Sequence, residues 1–195
     1  ESRYGSVILH IHGGGFVAMS SFSHECYLRL WARKAQIPIV SVDYRHAPDH
    51  RFPTQVEECY NVYQWVVNHA HEFLFGGRPL KRIVVTGDSA GGNLTLGVTM
   101  RAIYDGFRVP DAIALTYPAT YLSQSPSPAR LMALVDPLVN MNFLTMCESS
   151  LKYRGDIVSM EEQSYNAYIS PAVAPDDVFR CFPPTYMNVG SLDPL

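Results

Sequence analysis

The sequence predicts an α/β fold in a single domain, residues 1–195, in which a mostly parallel sheet carries helices on both faces. Short apolar runs rich in β-branched residues alternate with longer amphipathic stretches, the pattern of strand–helix–strand units. The length of 195 residues allows a sizeable core, and 47% hydrophobic with 17% charged residues is typical of a globular protein. The strands that we expect are Val7–Ile11, Pro38–Val42, Ile83–Thr86, Asp111–Tyr117 and Thr185–Val189.

The stretches between these runs predict the helices. His24–Lys34 carries an apolar stripe, and Ser23 stands where a helix N-cap is expected. Pro53–His71 is a longer amphipathic stretch with its proline in the tolerated first turn. After the fourth strand we expect a partial lid or insert near 121–165 with helices at Arg130–Val135 and Asn142–Tyr153, an irregular segment at Gly155–Glu162 and an extended connection at Ile169–Pro184.

The segment after the third predicted strand carries a chemical motif. Gly87-Asp88-Ser89-Ala90-Gly91 is a Gly-x-Ser-x-Gly sequence between a buried strand and a helix that begins at Ala90, which is the context of a nucleophile elbow. Its two glycines leave room for a sharp turn that holds Ser89 in a strained conformation with its hydroxyl projecting. The alternative is a glycine-rich turn without chemistry, because short motifs also match by chance.

Three consecutive glycines, Gly13, Gly14 and Gly15, follow the first predicted strand. A run of three is costly in conformational entropy, and it indicates that the backbone approaches another group closely with its N–H groups free to donate. Stabilising an oxyanion in acyl transfer requires such donors. A flexible loop is the alternative. We expect the preceding His12 to be a packed residue that orients this loop and not a proton carrier.

Charge and cysteine usage argue against several classes of function. A formal charge of −3 provides no basic surplus to neutralise phosphates, so we expect no nucleic-acid partner. The four cysteines lie far apart without a C-x-x-C pair, which predicts reduced thiols and no metal site. No apolar run reaches transmembrane length and no signal peptide opens the chain, so we expect a cytoplasmic protein.

Three motifs together resemble the signature blocks of the hormone-sensitive lipase family of α/β-hydrolases. They are His12-Gly13-Gly14-Gly15-Phe16, Gly87-Asp88-Ser89-Ala90-Gly91-Gly92 and Asp193-Pro194-Leu195. Further segments are similar to sequences of the same family. They are Ser23–Leu28, Glu57–Cys59, Arg108–Asp111, Tyr117–Thr120, and Ser127–Leu131 together with Asp136–Leu138. The resemblance covers nearly the whole chain. It implies an α/β-hydrolase fold and a serine ester hydrolase that acts on acylglycerols or other lipid esters without a metal or cofactor.

The resemblance also implies roles for single residues. Ser89 would attack the ester carbonyl and form an acyl-enzyme. The backbone N–H groups of Gly14, Gly15 and Ala90 would form the oxyanion hole, with support from Gly13.

Besides the serine, a hydrolase of this type needs an acid and a histidine base, which complete its catalytic triad. Two Asp-Pro-Leu sequences compete for the acid, and we choose Asp193 because it follows a predicted strand, whereas Asp136 follows a helical stretch. The triad order in this fold is serine, acid, histidine, yet all seven histidines precede Ser89. We therefore expect a fragment of a longer enzyme, with its sheet incomplete at both ends and little activity by itself. Natural loss of the histidine is the alternative.

Three classes of function stay open. An ester hydrolase is favoured because both Ser89 and Asp193 are present. A small-molecule receptor would use the same pocket without turnover. The third class is a non-catalytic protein that binds lipid droplets or another subunit, although no amphipathic surface helix supports it. For the hydrolase we expect a lipid or other small-molecule ester as substrate, and contact with the lipid-droplet surface.

Overall fold

The fold is taken from a computed structural model, which describes residues 5–123, 139–152 and 159–191, together with residues 128, 131 and 193. The competing Asp136 lies outside the described residues, as does the predicted helix at 130–135 apart from residue 131.

Five parallel strands form one sheet in the order β2-β1-β3-β4-β5. The chain moves from β1 outward to β2 and then crosses back to β3 on the other side of β1. The direction of winding therefore reverses between β1 and β3, where ligands bind in open α/β sheets. The strands, all within about two residues of their predicted positions, are β1 Ser6–Ile11, β2 Ile39–Val42, β3 Arg82–Asp88, β4 Ala112–Thr116 and β5 Thr185–Asn188.

Helices cover both faces of the sheet, as the sequence predicts. Leu9 and Ile11 of β1 belong to the core that contains side chains of the second helix, while His10, on the opposite face, bonds Tyr27 of the first helix. The helices are α1 Ser21–Ala35, α2 Thr54–Phe73, α3 Ala90–Tyr104, α4 Met141–Leu151, α5 Met160–Gln163 and α6 Asp176–Phe179, with a 3₁₀ turn at Pro171–Val173.

The start of α1 differs from the prediction. Its N-cap is Ser20 and not Ser23, and the Ser20 side chain makes no capping bond. The carboxylate of Asp43, at the end of β2, accepts instead from the Ser21 backbone N–H at 2.6 Å and from the Ser21 hydroxyl at 2.7 Å. A residue distant in sequence thus accepts a hydrogen bond from one of the backbone N–H groups that have no partner within the helix.

The predicted extended connection at 169–184 is wrong, because it contains the 3₁₀ turn and α6. Two of its four prolines, Pro171 and Pro175, lie at the starts of these turns, where proline is tolerated because no N–H is needed. The segment predicted as irregular up to residue 162 also contains the start of α5. There Ser159 and Glu162 form a capping box, a local signal that the sequence does contain.

Helix α3 carries the segment after the nucleophile motif into the centre of the molecule. Most of its side chains are buried, which is typical of a helix packed on several sides. Gly97 lets α2 approach closely, since a Cβ there would lie 2.9 Å from a methyl carbon of Val56. Of the helices that the structure describes, none combines the length and apolar character needed to cross a bilayer.

Candidate active site

The candidate site lies at the carboxyl ends of the parallel strands. The glycine loop follows β1, Ser89 follows β3 and Asp193 follows β5, so all three lie at one edge of the sheet. The loop and the serine flank the reversal between β1 and β3, which is the position expected for a ligand crevice.

Ser89 occupies a strained bend between β3 and α3. Its φ of 51° and ψ of −119° are unfavourable for a residue with a side chain. Three backbone hydrogen bonds hold it there: its N–H donates to the carbonyl of Thr116 at 3.0 Å, and its carbonyl accepts from Asn93 at 3.1 Å and from Ala119 at 3.2 Å. The bend predicted for a nucleophile elbow is therefore present and held by contacts to α3 and to the segment after β4.

The elbow packs directly on the end of β1. A Cβ at Gly91 would overlap the carbonyl oxygens of Ile11 and His12, so only glycine fits at this position. This approach brings the first turn of α3 against the glycine loop that follows His12.

The glycine loop presents free backbone donors. Gly14 and Gly15 adopt φ values of 112° and 62°, in the left-handed region that favours glycine. Within the part of the chain that the structure describes, the N–H groups of Gly14, Gly15 and Ala90 have no hydrogen-bond acceptor. Gly15, Ser89 and Ala90 line one cavity, so donors and hydroxyl share a space in which an oxyanion could lie.

Asp88 connects the elbow to the loop. Its carboxylate accepts from the Gly13 N–H at 3.2 Å, and the His24 Nε2 lies 3.2 and 3.3 Å from its two oxygens. Burial by itself would raise the pKa of Asp88, but the neighbouring rings of His10 and His24 lower it below its usual value. Asp88 is therefore a half-buried carboxylate that accepts a hydrogen bond from the first glycine of the loop.

His12 is packed and not placed for proton transfer. Its Nδ1 donates to the Gly13 carbonyl at 2.7 Å, and its ring stacks on Tyr44 with centroids 4.3 Å apart. Burial lowers its pKa, so the ring is neutral at neutral pH. Although several histidines gather here, no group of described residues has the arrangement needed to hold a metal ion.

Helix α4 forms the outer wall of the cavity. Phe143, Leu144, Cys147 and Glu148 line it, and the Cys147 Sγ occupies the space that a Cβ on Gly15 would need. Burial raises the pKa of Cys147 to about 11, so this thiol is a neutral apolar wall. The sequence predicts a helix here, but no local pattern indicates that it faces Ser89.

Buried charges anchor the end of α4. Arg51 donates from one guanidinium nitrogen to the carbonyl oxygens of Ser149, Ser150 and Lys152 at 2.6–3.0 Å. The fully buried Lys152 Nζ donates to the Leu122 carbonyl and the Ser164 hydroxyl, both at 2.8 Å. Cations at a helix C-terminus are stabilising, so the cavity wall is fixed at this end.

Asp193 lies in the turn after β5, where its N–H donates to the carbonyl of Gly190, and it does not line the cavity. Its charge helps to raise the pKa of Tyr117, after burial and the charge of Asp88. None of the seven histidines, all of which the structure describes, lines the cavity. The structure thus places Ser89, Gly15 and Ala90 around one cavity, whereas the predicted Gly14 and Asp193 do not line it, and neither does any of the histidines.

Known proteins resemble this chain in sequence and in fold. It is 47% identical to the hormone-sensitive lipase of Mus musculus over 148 residues, which cover 76% of this chain and 19% of that protein. It is 33% identical to the esterase LipI of Mycobacterium tuberculosis over 97% of this chain and 56% of that protein. A hyperthermophilic esterase from the archaeon Pyrobaculum calidifontis superimposes with a TM-score of 0.87 at 28% identity, over 98% of this chain and 58% of that chain.

The chain therefore spans about a fifth of the mouse lipase and just over half of each of the other two proteins. The sequence model of the α/β-hydrolase fold matches residues 8–195. Together with the parallel sheet and the resemblance of the three motifs, this match shows that the chain belongs to the α/β-hydrolase fold family, in agreement with the hormone-sensitive lipase resemblance of its sequence.

Proposed function

We propose that this chain carries the nucleophile, the oxyanion hole and the triad acid of a serine ester hydrolase. Ser89 attacks the ester carbonyl to form an acyl-enzyme, while the N–H groups of Gly14, Gly15 and Ala90 stabilise the developing oxyanion. One observation supports the proposal most directly. Ser89, strained at a φ of 51°, lines the same cavity as Gly15 and Ala90, whose N–H groups have no acceptor among the described residues.

Asp193 is proposed as the triad acid that orients a histidine. That histidine is not one of the seven in this chain, because each precedes Ser89 and none lines the cavity. We therefore place the base outside residues 1–195 and expect these residues by themselves to be nearly inert, since loss of a triad member costs about 10⁴–10⁶ in rate.

The substrate class is proposed from the cavity lining and from the relatives. Apart from Ser89 and Glu148, the lining is apolar, which suits the acyl chain of a lipid ester. The cavity holds about 50 Å³, and α4 forms its outer wall. We therefore propose that α4, within the insert near 121–165, acts as a partial lid of a single catalytic domain.

The outer face of α4 carries exposed apolar side chains that could bind a lipid surface. Phe143, which also lines the cavity, and Met146 are partly exposed there. We propose that this face touches the surface of lipid droplets in the cytoplasm. The measurement is the fraction of the full-length protein that sediments with triolein emulsions; substitution of both side chains by serine should lower it several-fold.

The test of the catalytic proposal is hydrolysis of p-nitrophenyl butyrate by the full-length protein and by Ser89→Ala. We expect kcat to fall by about 10⁴–10⁶ with the fold intact by circular dichroism. A fluorophosphonate should label Ser89 in the unaltered protein and not in the variant. Retained hydrolysis in Ser89→Ala would show that another group is the nucleophile.

A small-molecule receptor is the second candidate, because the same apolar cavity beside Ser89 could hold a ligand without turnover. In that case the full-length protein would bind p-nitrophenyl esters without turnover and without fluorophosphonate labelling. Rapid labelling of Ser89 would exclude the receptor.

A further inference from the structure

The His24 ring lies behind the glycine loop, and both of its nitrogens face acceptors. Its Nδ1 lies 3.2 Å from the carbonyl oxygen of Ser20, and its Nε2 lies 3.2 and 3.3 Å from the carboxylate oxygens of Asp88. An ionised carboxylate oxygen only accepts hydrogen bonds, so the contact to Asp88 is made by a His24 Nε2 that donates. The ring is 5% exposed, so water does not compete freely for these contacts.

Asp88 connects His24 to the glycine loop, because its carboxylate contacts both. It directly precedes Ser89, and its Oδ1 accepts from the Gly13 N–H at 3.2 Å. Gly13 directly precedes the two glycines proposed as oxyanion donors. A Cβ on Gly13 would overlap the Asp88 carboxylate, so the two segments are in close contact. One line of contacts therefore runs from α1 through His24 and Asp88 to the oxyanion loop.

The neighbouring histidines have other partners. His10 Nδ1 bonds the Ser41 hydroxyl at 3.0 Å, its Nε2 bonds the Tyr27 hydroxyl at 3.1 Å, and the Asp88 carboxylate is 3.8 Å away. His12 bonds the Gly13 carbonyl. His24 is thus the histidine within hydrogen-bond distance of the Asp88 carboxylate, and it does not line the cavity.

We propose that His24 is a positioning residue for the oxyanion hole. It fixes the Asp88 carboxylate, which holds Gly13 and thereby aims the N–H groups of Gly14 and Gly15 at the cavity. This role rests on the hydrolase function proposed above. His24 acts through Asp88 and does not touch the substrate.

Two variants of the 195-residue chain separate the two contacts of the ring. The terminal amide nitrogen of glutamine lies near the position of Nε2, so His24→Gln keeps the donor to Asp88. The shorter asparagine mimics Nδ1, so His24→Asn keeps only the contact to Ser20. Each protein is labelled with ¹⁵N-glycine, which marks the 13 glycine amides.

We expect His24→Asn to shift the amide signals of Gly13, Gly14 and Gly15 and to speed hydrogen exchange at Gly13 by about tenfold, the effect of losing one hydrogen bond. His24→Gln should keep all three signals close to those of the unaltered chain. Gly76 and Gly106, whose missing Cβ atoms would meet open space, serve as references that do not change. Unchanged exchange at Gly13 in a folded His24→Asn, or equal disturbance by both variants, would overturn the proposal.

A second measurement covers the case in which His24→Asn does not fold. In the unaltered chain, a coupling through the hydrogen bond should connect the Gly13 nitrogen to the Asp88 carboxyl carbon, and His24→Gln should preserve it. Absence of the coupling in the unaltered chain, or its loss in a folded His24→Gln, would overturn the proposal.

Kinetics of the full-length protein separate positioning from simple stability. For p-nitrophenyl butyrate, His24→Asn should lower kcat by about 10–100-fold, the cost of a misplaced catalytic geometry, with KM within about twofold. His24→Gln should restore most of that loss. An increase in KM alone would overturn the proposal. If the unaltered full-length protein hydrolyses no ester, the hydrolase function fails, while the glycine exchange still decides whether His24 holds the loop.

Discussion

The nucleophile side and the acid side of the candidate site are built differently. Ser89 and the glycine loop follow β3 and β1, which lie inside the sheet with other strands on both sides. Asp193 follows β5, an edge strand of this sheet whose four residues are all exposed, including Tyr186 at 69%. The difference shows that packing within this chain fixes the nucleophile and the donors, whereas the acid follows a strand whose residues are exposed in this chain.

The contacts of the two sides support this contrast. The backbone of Ser89 bonds to Asn93 in α3 and to Thr116 and Ala119, at the end of β4 and just after it. The Asp193 N–H donates to the carbonyl of Gly190 within its own turn, at 3.2 Å. Substitutions on the nucleophile side should therefore cost stability, and substitutions on the acid side should cost rate while leaving stability nearly unchanged.

Among the substitutions that test this contrast, the largest effect is expected on the acid side. Asp193→Asn in the full-length protein should lower kcat by about 10⁴, because the amide favours the wrong histidine tautomer. In the 195-residue chain this variant should keep its melting temperature within about 2 °C of the unaltered value, since the residues of β5 are exposed there. Asp176→Asn, an exposed carboxylate in α6, is the control and should keep full activity. Equal activity of both variants would exclude Asp193 as the triad acid.

A smaller effect, on stability, is expected at the elbow. Gly91→Ala places a Cβ on the carbonyl oxygens of Ile11 and His12, and such overpacking should lower the free energy of unfolding by about 3 kcal/mol. Gly190→Ala is its counterpart on the acid side, because the nearest atom would lie at 3.8 Å and the change should stay within about 0.5 kcal/mol. Urea unfolding of the 195-residue chain measures both. Similar losses at the two positions would remove the contrast between the sides.

The sequence predicts the nucleophile side well, because its signals are local. A β-branched run such as Ile83–Thr86 specifies a buried strand, and the spacing of glycines around Ser89 specifies the bend that follows it. The strand order and the packing of α1 cannot be obtained this way, although the alternation of elements predicts a parallel sheet with two covered faces.

Features that depend on contacts distant in sequence were not predictable. At the start of α1 the carboxylate of Asp43 accepts hydrogen bonds from Ser21, and this contact cannot be predicted from the local sequence, which indicates Ser23 as the N-cap. The cavity wall is formed by Cys147 against Gly15, which are joined only in the folded chain. The contact between His24 and Asp88 is of the same kind, because each residue taken alone resembles an ordinary helix or elbow residue.

The smallest predicted effect is a dependence of stability on pH that arises on the nucleophile side. Burial lowers the pKa of His12 from its ordinary value of 6.5. Below pH 6.5 the unfolded chain therefore takes up a proton that the folded chain does not, so the free energy of unfolding falls as the pH decreases towards the folded pKa. Above pH 6.5 this contribution is fully present. The slope is at most about 1.4 kcal/mol per pH unit.

Replacement of His12 tests the origin of that slope. His12→Asn keeps a donor near the Gly13 carbonyl but cannot take up a proton, so the loss of unfolding free energy between pH 7 and 5.5 should be smaller than in the unaltered chain. His69→Asn, on an exposed part of α2, should follow the unaltered chain. The lowered pKa of Asp88 adds a loss of the same sign only below its ordinary value of 3.8, outside this interval. If the free energy of unfolding of His12→Asn fell with decreasing pH as steeply as that of the unaltered chain, protonation of His12 would not be the cause of the acid destabilisation.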